Sequence, residues 1–153
     1  MDEQEKAVMI SVISSARDGS GESEGEMRMM MPGTLSARSD SCRLCYQETL
    51  EDESDHTSIT HEVRMLLRPG HVTLLRKGPY GMLMVLDRGK RYEGVYHTPF
   101  GDMAMAVYPT VVQCRLGEDG GRVELLYQLD LQGSFASERR MIVEYTVLER
   151  PGC

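Results

Sequence analysis

The chain has 153 residues, a formal net charge of −7 and a sequence pI near 5.1. This length favours one domain over residues 1–153 that can bury a core without disulfides or a structural metal. The acidic balance disfavours nucleic acid as a partner, because phosphates attract Lys and Arg. No stretch reaches the roughly 18 apolar residues of a membrane span, so we expect no membrane contact.

The first six residues, Met1 to Lys6, are acidic and lack the basic start and apolar run of a secretory signal. We therefore expect a cytoplasmic location, where the four cysteines would stay reduced.

Alternation of apolar and polar residues predicts strands along the whole chain. The pattern is clearest over 58–68, where His61, Val63 and Met65 share the apolar face. A flexible, acidic, Gly- and Ser-rich loop is predicted over 17–26, and the acidic run 51–55 predicts another loop. Pro32-Gly33 interrupts the second strand, which is typical of an edge position or a bulge. The predicted strands in this half are 7–15, 27–38, 42–49, 58–68, 71–76 and 80–86.

The second half continues the pattern with a strand from residue 91 that Pro99 and Gly101 stop, followed by strands over 102–116, 122–132 and about 137–149. The run 80–86 is apolar on both faces, which indicates burial on both faces or an interface. No amphipathic helical stretch of three turns occurs. We therefore predict an all-β, antiparallel, closed barrel of about 8–10 strands, because closure removes exposed edges.

Four motifs, in this order, resemble the YwiB-like family of uncharacterised bacterial proteins. They are Tyr46-Gln47-Glu48, Leu75-Arg76-Lys77-Gly78, the segment 96–101 and the segment 121–130. The resemblance covers nearly the whole chain and implies a calycin-type, lipocalin-like barrel with no assigned activity. Such a barrel is either filled by side chains or holds one small ligand.

Cys42-Arg43-Leu44-Cys45 has the CxxC spacing of zinc and redox sites. On a strand, positions i and i+3 face opposite sides, so the two sulfurs should diverge, and Cys114 and Cys153 form no second pair. Ordinary free cysteines are the simpler interpretation, and a metal or redox role is the alternative. We predict no metal site and no cofactor.

Methionines recur at alternate positions, as in Met27/Met29/Met31, Met82/Met84 and Met103/Met105. They indicate a core face, with an adaptable ligand pocket or a soft Cu(I) site as alternatives. His61 is either a hydrogen-bonded core histidine or a polar anchor in a cavity. Arg76-Lys77 and Arg139-Arg140 are either solvated strand ends or contain an arginine turned toward the barrel mouth.

The interpretation we favour is a binding protein whose interior holds a small, partly apolar or amphipathic ligand. The predicted ligand-binding residues are His61, Met65, Met103, Met105 and Tyr127. The alternative is a filled barrel that acts as a protein-interaction or structural module, with a homodimer among the options. An enzyme is the least supported class, because the chain has no nucleophile elbow, P-loop or dinucleotide fingerprint, and we predict no catalytic residue.

Overall fold

Antiparallel strands make up nearly all of the described chain, because apolar and polar residues alternate along it with a period of two. The computed structural model describes residues 4–52 and 57–148, which contain ten strands. Within these ranges no helix is long and apolar enough to cross a membrane. The strands are β1 (Gln4–Arg17), β2 (Ser23–Ala37), β3 (Cys42–Asp52), β4 (Thr57–Arg68), β5 (His71–Lys77), β6 (Met82–Asp87), β7 (Tyr92–Thr98), β8 (Gly101–Leu116), β9 (Gly120–Leu131) and β10 (Ser134–Val147).

The prediction of a closed antiparallel barrel is confirmed. Each strand pairs with its neighbours in the chain, and β1 pairs with β10 to close the sheet. At this seam Ile10 faces Tyr145 and Val12 faces Val143, and all four side chains are buried. A shift by one residue would turn them to the outside, so the apolar alternation fixes the register.

The predicted loop over 17–26 is wrong in its second half, because β2 already begins at Ser23 and pairs with β1 there. The connecting turn is held by Asp18, whose Oδ1 accepts hydrogen bonds from the backbone N–H of Ser20 at 2.9 Å and of Glu22 at 3.1 Å. Cross-strand pairing thus overrides the Gly- and Glu-rich composition. The predicted acidic loop over 51–55 is wrong at its start, because Glu51 and Asp52 belong to β3 and pair with β4. Residues 53–55 of that loop and residue 149 of the predicted last strand lie outside the described residues.

The barrel wall is interrupted at two places. Strand β2 pairs with β3 only from Gly33 to Ala37, so in the described structure the earlier part of β2 and residues 47–52 of β3 do not pair with each other. Pro32, which has no backbone N–H, lies at the end of this pairing, in agreement with the predicted edge position. The register of β6 with β7 consists of one pair, Met82 with Tyr96.

The two ends of the barrel differ. At the end where the chain enters β1, the interior is filled by side chains such as Tyr145, which is 2% exposed and whose hydroxyl donates a hydrogen bond to the Gly117 carbonyl at 3.3 Å. Gly121 lies against the Tyr145 ring, where an added Cβ would come within 2.5 Å of ring atoms. The other end, which we call the mouth, carries the β1–β2, β5–β6, β7–β8 and β9–β10 turns.

Gly33 packs closely against β1 and β3 in the barrel wall. A Cβ at this position would lie 2.5 Å from the Cys45 carbonyl oxygen and 2.5 Å from Ile10 Cδ1. We expect Gly33→Ala to lower the free energy of unfolding by about 1–3 kcal/mol, because neither the backbone nor the packed side chain can move aside without strain. Urea denaturation measures the change.

Gly19→Ala is the control, because its Cβ would make an ordinary contact with Phe135 at 3.6 Å. It should alter the free energy of unfolding by less than about 0.5 kcal/mol. Equal effects of the two substitutions would contradict the close approach of β1, β2 and β3 at Gly33.

Candidate functional site

The barrel interior contains a cavity of about 460 Å³ near the mouth. Its wall is largely apolar and includes residues from both margins of the β2–β3 interruption, Met27 on β2 and Glu48 on β3. Six of the 12 methionines line it, so its surface can adapt to the shape of a guest. These methionines are Met27, Met29, Met82, Met84, Met105 and Met141.

A cluster of polar side chains faces this cavity from five strands. The register explains why they point inward: Val63, a buried core residue, is the partner of Arg76, and the buried Tyr127 is the partner of Arg139. Neighbouring positions across a sheet project to the same face. The polar residues that line the cavity from inward-facing positions include Tyr46, Glu48, Arg76, Tyr96, Tyr127 and Arg139.

Glu48 and Arg76 form the most buried ion pair of this cluster. Their side chains are 8% and 19% exposed, and one guanidinium nitrogen lies 3.4 Å from Glu48 Oε1. The Nε atom of Arg76 is buried and has no hydrogen-bond partner among the described residues. A guanidinium carries five N–H donors, so this single, long contact leaves most of the Arg76 donor capacity available.

Tyr46 and Tyr127 stay protonated and can donate hydrogen bonds. Burial raises the pKa of Tyr46 to about 12, Glu48 adds to this effect, and Arg76 opposes it. Burial also raises the pKa of Tyr127, against the positive charges of Arg139 and Arg76. The cluster therefore combines the hydroxyls of Tyr46 and Tyr127 with the guanidiniums of Arg76 and Arg139 and the carboxylate of Glu48.

His61 lies next to this cluster, since it is the cross-strand partner of Glu48 on β4. The ring is 0% exposed, and its Nε2 accepts a hydrogen bond from the backbone N–H of Tyr80 at 3.1 Å. Gly78 packs directly on the ring, where an added Cβ would lie 2.4 Å from Cδ2. The Nδ1 atom has no partner among the described residues. His61 thus holds the β5–β6 turn between Arg76 and Met82, in agreement with the interpretation as a core histidine.

The structure brings two of the five predicted ligand-binding residues to the cavity, Met105 and Tyr127. His61 and Met65 are fully buried in the core, and Met103 is half-buried at the strand position opposite Tyr96. A ligand role for these five residues stays a prediction.

The sequence analysis did not select Tyr46 or Glu48 as site residues, and it left Arg76 and Arg139 between two interpretations. Their inward orientation was visible in the alternation, because Arg76 shares parity with Leu74 and Arg139 shares parity with Met141. The polar character of these residues favoured the solvated interpretation instead.

The other candidate sites lie elsewhere. Cys42 is buried and Cys45 is half-buried, and both are free cysteines three positions apart on β3, as predicted. Among the described residues, no group of three or more His, Cys, Asp or Glu side chains could hold a metal ion; Cys153 lies outside them. His97 is 51% exposed on β7 and its Nδ1 lies 2.6 Å from Asp102, so it does not face the interior.

The sequence profile of a family described as a domain of unknown function, DUF1934, matches residues 10–142. Among solved structures, the chain is similar to the crystal structure of the YwiB protein from Bacillus subtilis. The two share 21% identity with a TM-score of 0.77, and the match covers 96% of each chain. No curated protein matches the chain. The matches agree with the resemblance drawn from the four motifs, and the likeness between the structures confirms the fold.

Burial of His61 makes the stability of the fold depend on pH. Burial and, second, the positive charge of Arg76 lower the pKa of His61 below its ordinary value of 6.5, while Glu48 opposes them. The unfolded chain therefore binds a proton that the folded chain resists, and stability is lost as pH falls below 6.5. His61→Gln keeps an acceptor for the Tyr80 N–H and cannot titrate.

We expect the free energy of unfolding of the wild type to fall, relative to that of His61→Gln, by up to about 1.4 kcal/mol per pH unit. This fall extends from pH 6.5 down to the pKa of His61 in the folded chain. Urea denaturation at pH 7.5, 6.5 and 5.5 measures this difference. Parallel pH profiles for the two proteins would contradict a depressed His61 pKa.

Proposed function

Because the chain belongs to the DUF1934 family, whose domain has no described function, we propose a function from the cavity: the barrel binds a small, partly apolar ligand in its interior. The observation that carries this proposal is the cavity of about 460 Å³, lined by methionines and a few convergent polar groups. This volume and this lining are typical of small-molecule sites. A cytoplasmic location, expected from the sequence, stays a prediction.

The contrast between the two ends of the barrel supports the proposal. The far end is filled with apolar side chains and Tyr145, as packing alone requires. The mouth end instead contains Glu48 and Arg76 in a largely buried pair with an unsatisfied Arg76 Nε. A buried donor without a partner costs about 1–3 kcal/mol. Such a group is explained if a guest molecule supplies the missing acceptor.

An uncharged fluorescent probe, N-phenyl-1-naphthylamine, tests this function. We expect saturable 1:1 binding to the wild type, with an increase in probe fluorescence. Met105→Trp should weaken binding by about tenfold or more, because Met105 lines the cavity and is 3% exposed, so a larger ring there occupies the site. Leu129→Phe fills the same cavity with a smaller change of volume and should also weaken binding.

Leu83→Ser is the matched control, because Leu83 is 42% exposed on the outer face and its loss should leave probe binding unchanged. Circular dichroism verifies that each variant folds. Absence of saturable binding by the wild type, together with a native mass spectrum without excess mass for protein purified from its own host, would overturn the proposal.

A second candidate function is self-association through the outer face of β4, β6 and β7. Leu66, Leu83 and Val95 are 49%, 42% and 47% exposed there. Leu83 and Val95 share a shallow depression with Leu75. Leu83 and Val95 lie on the neighbouring strands β6 and β7, and β5 separates β6 from Leu66 on β4. Exposed apolar residues grouped in this way are typical of interaction surfaces. We propose a second copy of this chain as the partner, which is the homodimer considered from the sequence.

Light scattering at micromolar to millimolar concentrations tests this candidate. Leu83→Glu should shift a dimer toward monomer, because a charge would be buried against an apolar surface. Phe135→Glu is the control, since Phe135 is similarly exposed, at 45%, but lies on β10. A strict monomer over the whole concentration range would contradict the proposal.

A further inference from the structure

The charged residues that line the cavity balance in number but not in how their hydrogen-bonding groups are satisfied. Three carboxylates and three guanidiniums line it. Glu26 contacts Arg28 at 2.6 Å and Arg140 pairs with Glu124, while Glu24 and Arg139 are exposed and have no ion pair among the described residues. Glu48 and Arg76 form the largely buried pair, and the donors that this pair leaves unsatisfied distinguish the site.

Both inward arginines keep donors available. Arg76 contacts Glu48 through one nitrogen at 3.4 Å, and its Nε has no partner in the described part of the chain. Arg139 donates from Nε to Ser137 Oγ at 3.1 Å, which leaves its two terminal nitrogens. No carboxylate of the described residues lies within ion-pair distance of Arg139. A guanidinium presents its remaining donors in a planar fork that matches a carboxylate.

Tyr127 is the cross-strand partner of Arg139 and lines the same cavity as Arg76. Burial raises the pKa of Tyr127, and the positive charges of both arginines oppose this effect. Since this phenol stays protonated, it adds a neutral donor beside the two cations. Below them, Met82, Met84 and Met105 continue the wall with apolar surface.

We propose that the cavity binds an amphipathic monoanion, a medium-chain carboxylic acid, with its carboxylate between Arg76 and Arg139 and its alkyl chain among the methionines. This inference rests on the proposed interior binding function and names its ligand class. Because Glu24 and Glu48 also line the cavity, a carboxylate with one negative charge meets less repulsion than an alkyl phosphate, which carries about −1.5 to −2 at pH 7. Glu48 then competes with the ligand for Arg76.

Displacement of N-phenyl-1-naphthylamine at pH 7.5 by four ligands of equal chain length tests the head group. The ligands are decanoate, decyl phosphate, 1-decanol and decyltrimethylammonium. We expect decanoate to bind tightest, by about tenfold or more over 1-decanol, because charge-assisted hydrogen bonds add to the shared burial of the chain. Its advantage should shrink in high salt.

Variants then test the residues. Arg139→Met and the pair Arg76→Met with Glu48→Gln, which leaves no lone buried charge, should each reduce decanoate affinity toward that of 1-decanol. Neither should change 1-decanol binding, which also reports that the variants fold. Glu48→Gln alone should strengthen decanoate binding, because it releases Arg76. Arg122→Met is the matched control, since Arg122 faces outward and contacts Glu124 and Glu144, each at 3.5 Å.

The outcomes separate the two proposals. Equal affinity for decanoate and 1-decanol, preference for the ammonium, or tightest binding of decyl phosphate overturns the carboxylate assignment and leaves interior binding in place. Loss of decanoate affinity in Arg122→Met equal to that in Arg139→Met also overturns it. If neither the probe nor any of the four ligands binds, both proposals fail.

Discussion

The pairing of β1 with β10 is the constraint on which the rest of the structure depends. Once the sheet closes, every second residue of every strand must point into one enclosed volume, and the contents of that volume are set by residues far apart in the chain. Ile10 and Tyr145 meet across this seam although 134 positions separate them along the chain. Glu48 and Arg76 face the same interior because the register of the closed sheet places both positions on its inner face.

Closure does not require the enclosed volume to be uniform. The far end contains the fully buried aliphatic residues of β1, β4 and β5 together with Tyr145, and this end provides the apolar burial that stabilises the fold. The mouth end contains polar groups that a packed core avoids, and His61 holds the β5–β6 turn next to Arg76. The apolar core and the polar cluster are thus separated along the barrel axis, so the mouth end can contain a loose ion pair without disrupting the core.

The architecture could be predicted from the sequence because it depends on patterns that are local and periodic. Alternation over 58–68 and the turn residues around 69–70 and 118–121 are enough to place strands, and their number and regular spacing indicate closure. Predicted bounds failed where pairing overrides composition, as at residues 23–26, where Gly25 adopts a φ of 101° within β2.

The site was harder to predict, and the reason is physical. Arginine and glutamate are most often solvated, so Arg76, Arg139 and Glu48 suggest surface positions even where their parity places them inside. The sequence does not indicate whether a methionine or leucine fills a core or lines a cavity. Met65 and Met84 both lie on the apolar face of a strand, but only Met84 lines the cavity. The volume of the cavity depends on the side chains of all the strands together, so it cannot be predicted from a short stretch of sequence.

The interrupted pairing between β2 and β3 has a consequence for motion. Amide groups of residues 23–31 have β1 on one side and no β3 partner within the described structure on the other, and the single register pair between β6 and β7 leaves a second weak line. Local opening follows such lines, because it breaks few hydrogen bonds and exposes little core. We therefore expect local opening between β2 and β3 beside Glu48, in the wall that borders the cavity, while the pairing of β1 with β10 stays intact. Hydrogen exchange would show the difference as fast amides in early β2 and slow amides in β10.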